Sequence, residues 1–234
     1  MPTISADSGY LTVLNLFSTD AAEKQDQLLS AMREIVDTAA FEGWISSTVH
    51  SGRDRHGTAN FIQWRSGEDL DRRYAEDKFK HRTVPLFEEM STSMKLLRTV
   101  VASTHQHPSQ GGTTEISPDR DDHTVIEFFG VAAEHQDDLV TALGQQEWLQ
   151  ATPGYRSHTV LRGLDALRGV DGPFVVTYSQ WDGKESYDAF RALPEAEWPG
   201  ERKRTRDALE SLVTARDWNS YRVVHTRSAS LATP

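Results

Sequence analysis

Asn60 and Trp64 are the residues whose types and spacing first suggest chemistry. They lie in ANFIQWR, Ala59 to Arg65, where apolar and polar residues alternate as in a half-buried strand. The alternation places Asn60, Ile62 and Trp64 on one face and Ala59, Phe61 and Gln63 on the other. At about 3.3 Å rise per residue, a carboxamide and an indole project from one side roughly 13 Å apart, able to grip a flat, oxygen-bearing molecule. An isolated N-x-x-x-W equally describes a polar strand end beside a core indole, so the surrounding elements must discriminate.

Those elements begin at Leu11. LTVLNLFST reads as a strand with Val13, Asn15 and Phe17 on one face and Leu14 and Leu16 on the other. Asp20 with Glu23 has the spacing of a capping box, and Leu28, Met32, Ile35 and Ala39 form the apolar stripe of a helix that stops near Gly43. WISSTVHSGRD is a second strand, turning at Arg53 to Gly57 into the strand of Asn60 and Trp64, so the two predict a hairpin. EDLDRRYAEDKFKHR sets Leu70, Tyr74 and His81 on one helical face, Pro85 redirects the chain into a further helix, and KLLRTVVAST is a fourth strand. The order β-α-β-β-α-β is the ferredoxin-like plan, with two helices on one face of a four-stranded antiparallel sheet and the other face bare.

The second half then repeats the first. TVIEFFGVAAEHQDDL matches TVLNLFSTDAAEKQDQL, PGYRSHTV matches EGWISSTV, VTYSQWDGKESYDAF matches NFIQWRSGEDLDRRY, and SYRVV matches LRTVV. The predicted fold is α+β: two tandem ferredoxin-like units, 1–104 and 123–228, joined by a linker at 105–122 rich in Pro, Gly, Ser, Thr and Asp, with a tail at 229–234. Packing the two bare sheet faces together makes an intramolecular dimer within one chain. His105 and His107 stand at i, i+2 with no third ligand at a defined spacing, so they read as solvated linker residues and no metal site is expected.

Composition narrows the function classes. A net charge of −10 without clustered Lys and Arg opposes a nucleic-acid or acidic-membrane partner. The absence of cysteine removes disulfides, thiolate metal sites and Cys nucleophiles, and fits a reducing compartment. MPTISADSGY has neither the basic nor the apolar part of a signal peptide, and no run of 18 apolar residues occurs, so a cytoplasmic protein is expected.

With the duplication, GWISSTVHSG and the NFIQW strand, the chain resembles the antibiotic biosynthesis monooxygenase family of dimeric α/β-barrel proteins. In the branch that oxidises aromatic polyketides without metal, heme or flavin, the resemblance implies roles for an Asn on the first strand and for the Asn and Trp of N-x-x-x-W. Those positions hold Asn15, Asn60 and Trp64, the implied catalytic set. The implied reaction turns an anthrone or hydroquinone into a quinone with O2 and no cofactor. His50, Tyr74, His81 and Arg98 are the candidates for touching substrate or assisting proton transfer. Glu127 and Thr177 replace the two asparagines in the second half and only Trp181 keeps its type, so the first half is expected to work and the second to hold it in shape. The heme-degrading branch offers a rival, with an Asn, a Trp and a helical His on iron, but the position ten residues after Trp64 holds Tyr74 and His81 lies two turns further along. A non-catalytic ligand-binding module is the third reading, and pairing with a second chain stays open.

Overall fold

Strands form where β-branched and aromatic residues alternate with polar ones, and helices where the apolar period lengthens to three and four. A computed structural model describes residues 1–229; beyond Ala229, the expected tail lies outside the described residues. The first half runs β1 (Thr3–Ile4), β2 (Leu11–Ser18), α1 (Ala22–Thr38), β3 (Trp44–Gly52), β4 (Gly57–Trp64), α2 (Gly67–Ala75), a π-turn (Phe79–Thr83), α3 (Val84–Met90) and β5 (Ser93–Gln106). The second runs β6 (Thr114–Glu115), β7 (His123–Val131), α4 (Gln136–Gly144), β8 (Tyr155–Arg168), β9 (Phe174–Trp181), α5 (Lys184–Ala192), α6 (Gly200–Leu212) and β10 (Val213–Ser228). Within the stretch expected as a linker, β6 pairs with β1.

Eight strands close into one barrel in the order β10-β3-β4-β2-β5-β8-β9-β7, four from each half. The seams are the two longest strands. β5 pairs with β2 and continues onto β8, while β10 pairs with β7 and continues onto β3. The two bare faces therefore meet inside a closed cylinder that leaves no unpaired edge among its strands. The chain has the expected α+β fold, an intramolecular dimeric α/β barrel. Leu14, Phe61 and Leu97 from the first half interleave with Phe128, Phe174 and Tyr178 from the second in its interior. Burying a side chain such as Phe61 contributes about 1.5–3 kcal/mol.

The helices lie outside. α1 buries Leu28, Leu29, Met32 and Val36 against the sheet. Its start departs from the expected capping box: Ala21 is the N-cap without a side-chain bond, and Asp20 instead pairs with Lys24 at 2.9 Å. The start of α2 is fixed more firmly. Ser66 Oγ accepts from Asp69 N at 3.2 Å, and the Arg65 guanidinium holds the buried Asp69 carboxyl down at about 2. Gly43, at φ 75, lies so close to Asp69 that any Cβ would collide with that carboxyl group. This junction turns the chain from β4 straight into α2 and sets α2 over the end of β4. Among the described residues, no helix is long and apolar enough to cross a membrane.

Candidate active site

β2 and β4 are hydrogen-bonded neighbours with Asn15 directly opposite Asn60. Opposed residues share a face, so the two carboxamides emerge side by side on the helix-covered face of the sheet. Two steps of alternation from Asn60 bring Trp64 to the same face at the strand's end. Ile35 and Val36 of α1 and Ala39 just beyond it, with Leu70, Arg73 and Tyr74 of α2, roof these residues and enclose a cavity of about 60 Å³. Trp44, Ser47 and Phe41 complete the lining.

Asn60 and Trp64 are buried and Asn15 is half-buried. Among the described residues, Asn15 Oδ1, Asn60 Oδ1 and Trp64 Nε1 are shielded from solvent without a hydrogen-bond partner. Trp44 next to them is satisfied, its Nε1 donating to Ser47 Oγ at 2.9 Å. An unpaired buried polar group costs about 1–3 kcal/mol, so three around one cavity point to a ligand that would pair them.

Among the described residues, no carboxylate and no histidine lines the cavity. Its charge is positive. The buried Arg73 guanidinium lies 4.2 Å over Phe41 and 5.1 Å over Phe79, and pairs with Glu76 at 2.7 Å. Tyr74 stacks on Phe79 at 4.6 Å, and burial pushes its phenol up to about 12, leaving a neutral hydroxyl through the physiological range. Arg98 sits 5.7 Å over the Tyr74 ring and pairs with Asp71, so it reaches the site through Tyr74.

Of the residues singled out in the sequence, the fold thus gathers Asn15, Asn60, Trp64 and Tyr74, with Arg98 behind Tyr74. It does not bring His50 or His81 there. His50 projects from β3 into the barrel interior, where Nδ1–H donates to Ala59 O at 3.3 Å and Nε2 accepts from Tyr178 Oη at 2.9 Å. It is fully buried, and that burial pushes its pKa down to about 4. His81 is exposed on the π-turn. Phe41, Trp44, Ser47 and Arg73 were not singled out from the sequence. Trp44 and Ser47 lie within GWISSTVHSG, whereas Arg73 is one of an adjacent arginine pair that periodicity alone does not separate.

No family model and no curated protein matches this chain. A solved structure described as an anthrone oxidase-like protein matches it at 50% identity and a TM-score of 0.95, covering 100% of both chains. The chain belongs to the antibiotic biosynthesis monooxygenase family. Two proteins provisionally classed as monooxygenases share its fold. The one from Fusobacterium nucleatum is 10% identical, with a TM-score of 0.61 and 95% of each chain covered. The one from Lactobacillus acidophilus is 11% identical, with a TM-score of 0.56, covering 94% of this chain and 97% of that one. Family membership makes the protein a monooxygenase-type oxidoreductase.

The heme reading meets an obstacle in the side chains. Heme iron takes an axial imidazole, thiolate, thioether or phenolate. Among the described residues, the first-half cavity of this monooxygenase offers only the phenol of Tyr74, which burial keeps protonated up to about 12. The lining does not supply the helical imidazole of the heme-degrading branch.

In the second half the strand register is the same. Glu127 stands opposite Thr177 across β7 and β9, and Trp181 ends β9 as Trp64 ends β4. Glu127 Oε1 accepts from Arg216 Nη2 at 2.7 Å, a paired carboxylate in the place of Asn15. His158 occupies the position of Ser47; its Nε2–H donates to Leu143 O at 3.1 Å and its Nδ1 accepts from Ser179 Oγ at 2.8 Å. Burial pushes His158 down to about 4, so it is neutral with both nitrogens engaged.

Proposed function

We propose that the first half oxidises an aromatic, polyketide-like anthrone or hydroquinone to a quinone with O2 and no cofactor, Asn15, Asn60 and Trp64 acting on the substrate. What supports this reading is the set of unpaired carboxamides and indole N–H around one cavity that, among the described residues, has neither acid nor imidazole.

Loss of a ring CH2 proton from an anthrone gives an anion whose charge collects on the carbonyl oxygen. Nδ2–H groups of Asn15 and Asn60 donate to that oxygen, while their unpaired Oδ1 atoms accept from the flanking phenolic hydroxyls, and the Arg73 guanidinium, shared with Glu76, adds positive potential nearby. The pocket thus lowers the cost of ionisation rather than abstracting the proton with a side chain of its own. The CH2 proton passes to water, the carbanion passes one electron to O2, the radical pair joins as a peroxide anion on the same carbon, a proton returned from water makes it the hydroperoxide, and loss of water leaves the second carbonyl. One oxygen atom ends in the quinone and the other in water. Trp64 Nε1–H, unpaired in the cavity, donates to the peroxide. Removing one preorganised donor of this kind costs about 2.7–4 kcal/mol in the transition state.

A fused-ring substrate needs more than the cavity's 60 Å³. The wall that can give is the Tyr74–Phe79 stack, carried on short helices and a π-turn, because the opposite wall is the barrel sheet itself. The test is O2 uptake with 1,8-dihydroxyanthrone and chelated metals. Wild-type protein should form one quinone per O2 above the protein-free rate, with Asn15→Ala and Asn60→Ala each reduced about ten-fold or more. Binding without added O2 uptake would instead identify a non-catalytic module.

A further inference from the structure

The first helix of the second half is much shorter than its counterpart. α4 has 9 residues where α1 has 17, about 14 Å against about 26 Å of rod. The uncovered part becomes a cavity of about 570 Å³, with Glu127 and Trp181 in its floor and α5, α6 and β10 around it. This volume is in the range that encloses a drug-sized ligand.

Its walls are aromatic and cationic. Phe190 packs against Trp181 at 4.9 Å and against Trp148 at 6.0 Å, the ring planes inclined by 31° and 28°. Trp148 Nε1 and Trp181 Nε1 are buried without a partner among the described residues, and Trp181 is 2% exposed. Two of the four lining arginines are matched: Arg206 by Glu195 at 2.8 Å and Asp207 at 2.9 Å, Arg216 by Glu127 at 2.7 Å; a third, Arg191, is exposed and lies 4.6 Å over the Trp218 ring. Arg202 is different. It is 9% exposed and sandwiched between Phe190 at 4.1 Å and Trp198 at 4.0 Å. Its Nη2–H donates to Phe190 O at 3.1 Å, while Nη1 is buried and unpaired and, among the described residues, no carboxylate forms an ion pair with it. A guanidinium stays protonated, and a buried cation without a counter-charge is costly unless an anion arrives.

We infer that this cavity is a second ligand site that binds a planar aromatic anion, its rings against Trp181 and Phe190 and its negative oxygen on Arg202. The sequence carries −10 overall, so a local excess of arginine draws an anion that the rest of the surface repels. Ring stacking supplies area and the buried, unmatched Arg202 guanidinium supplies the preference for charge. The inference stands whether or not the first half oxidises.

The test titrates anthraquinone-2-carboxylate and the neutral anthraquinone-2-carboxamide into the full chain, followed by calorimetry and tryptophan quenching. The acid should bind saturably and about ten-fold or more tightly than the amide. Arg202→Met should abolish that preference, Arg202→Lys should keep part of it, and Asn60→Ala should leave it unchanged. Should Arg202→Met fail to melt cooperatively, Trp198→Leu replaces it and must weaken the acid by about five-fold or more. No saturable binding, equal affinity for acid and amide, a preference that survives Arg202→Met, or loss of binding in Asn60→Ala would each overturn the inference.

Discussion

Asn15 faces Asn60 across β2 and β4, and Glu127 faces Thr177 across β7 and β9, yet what is built over these pairs differs. In the first half a long α1 and the Arg73–Phe41 and Tyr74–Phe79 stacks press down on the sheet, leaving about 60 Å³ around neutral, unpaired amides. In the second, counting from Trp181 as from Trp64, Phe190 and Arg191 take the places of Arg73 and Tyr74. Pro194 and Pro199 interrupt the chain before α6, and about 570 Å³ stays open beside the buried, unmatched guanidinium of Arg202. A duplicated barrel can thus keep its strand register and still build two sites of different chemistry, because register is set by the buried interior and site chemistry by the outer cover.

The largest expected effect tests which half oxidises. Asn60→Ala and Trp64→Phe should each lower turnover about ten-fold or more, while Thr177→Ala and Trp181→Phe should leave it within about two-fold in the O2-uptake assay. The reverse pattern would move the reaction to the second half. A stability effect should appear in both halves alike. His50 and His158 are held neutral by burial, with pKa values of about 4 against about 6.5 when unfolded. Below pH 6.5 the unfolded chain therefore binds more protons than the folded one. Stability should be intact above that pH and fall as pH drops toward 4, by up to about 1.4 kcal/mol per pH unit for each histidine. Urea midpoints at pH 7 and pH 5 measure this, and His158→Asn should remove about half of the difference; identical midpoints in the wild type would contradict it.

Smaller effects sharpen the contrast in cover. Tyr74→Ala removes one ring of the movable stack, so KM for a fused-ring substrate should fall a few-fold as the pocket opens, with about 1–3 kcal/mol lost in stability. An unchanged KM would mean that the stack does not gate entry. His81→Ala, outside the pocket and exposed, should change neither turnover nor, beyond about 0.5 kcal/mol, stability. A loss of turnover there would show that the π-turn folds inward when substrate binds.

Much of the fold was legible because it rests on short-range rules. The hairpin of β3 and β4, the opposed faces of Asn60 and Phe61, and the four-strand repeat follow from alternation and duplication. The gathering of Asn15, Asn60 and Trp64 was legible through the same alternation. The capping of α1 was not, since Asp20 had Lys24 within reach as a competing partner. Neither was the burial of His50, whose hydroxyl partner, Tyr178, lies 128 residues away in the other half. The second-half cavity left a trace in composition, with four of the six tryptophans after residue 123, but no local pattern says whether such rings fill a core or line a void.

The sequence by itself determined the strands, their faces and the doubling, because side-chain direction in a strand depends only on parity. Only the tertiary structure decided which polar atoms have no partner and how much space is left above them. Those depend on helix length, on where α2 and α6 come to rest, and on contacts between residues far apart in the chain.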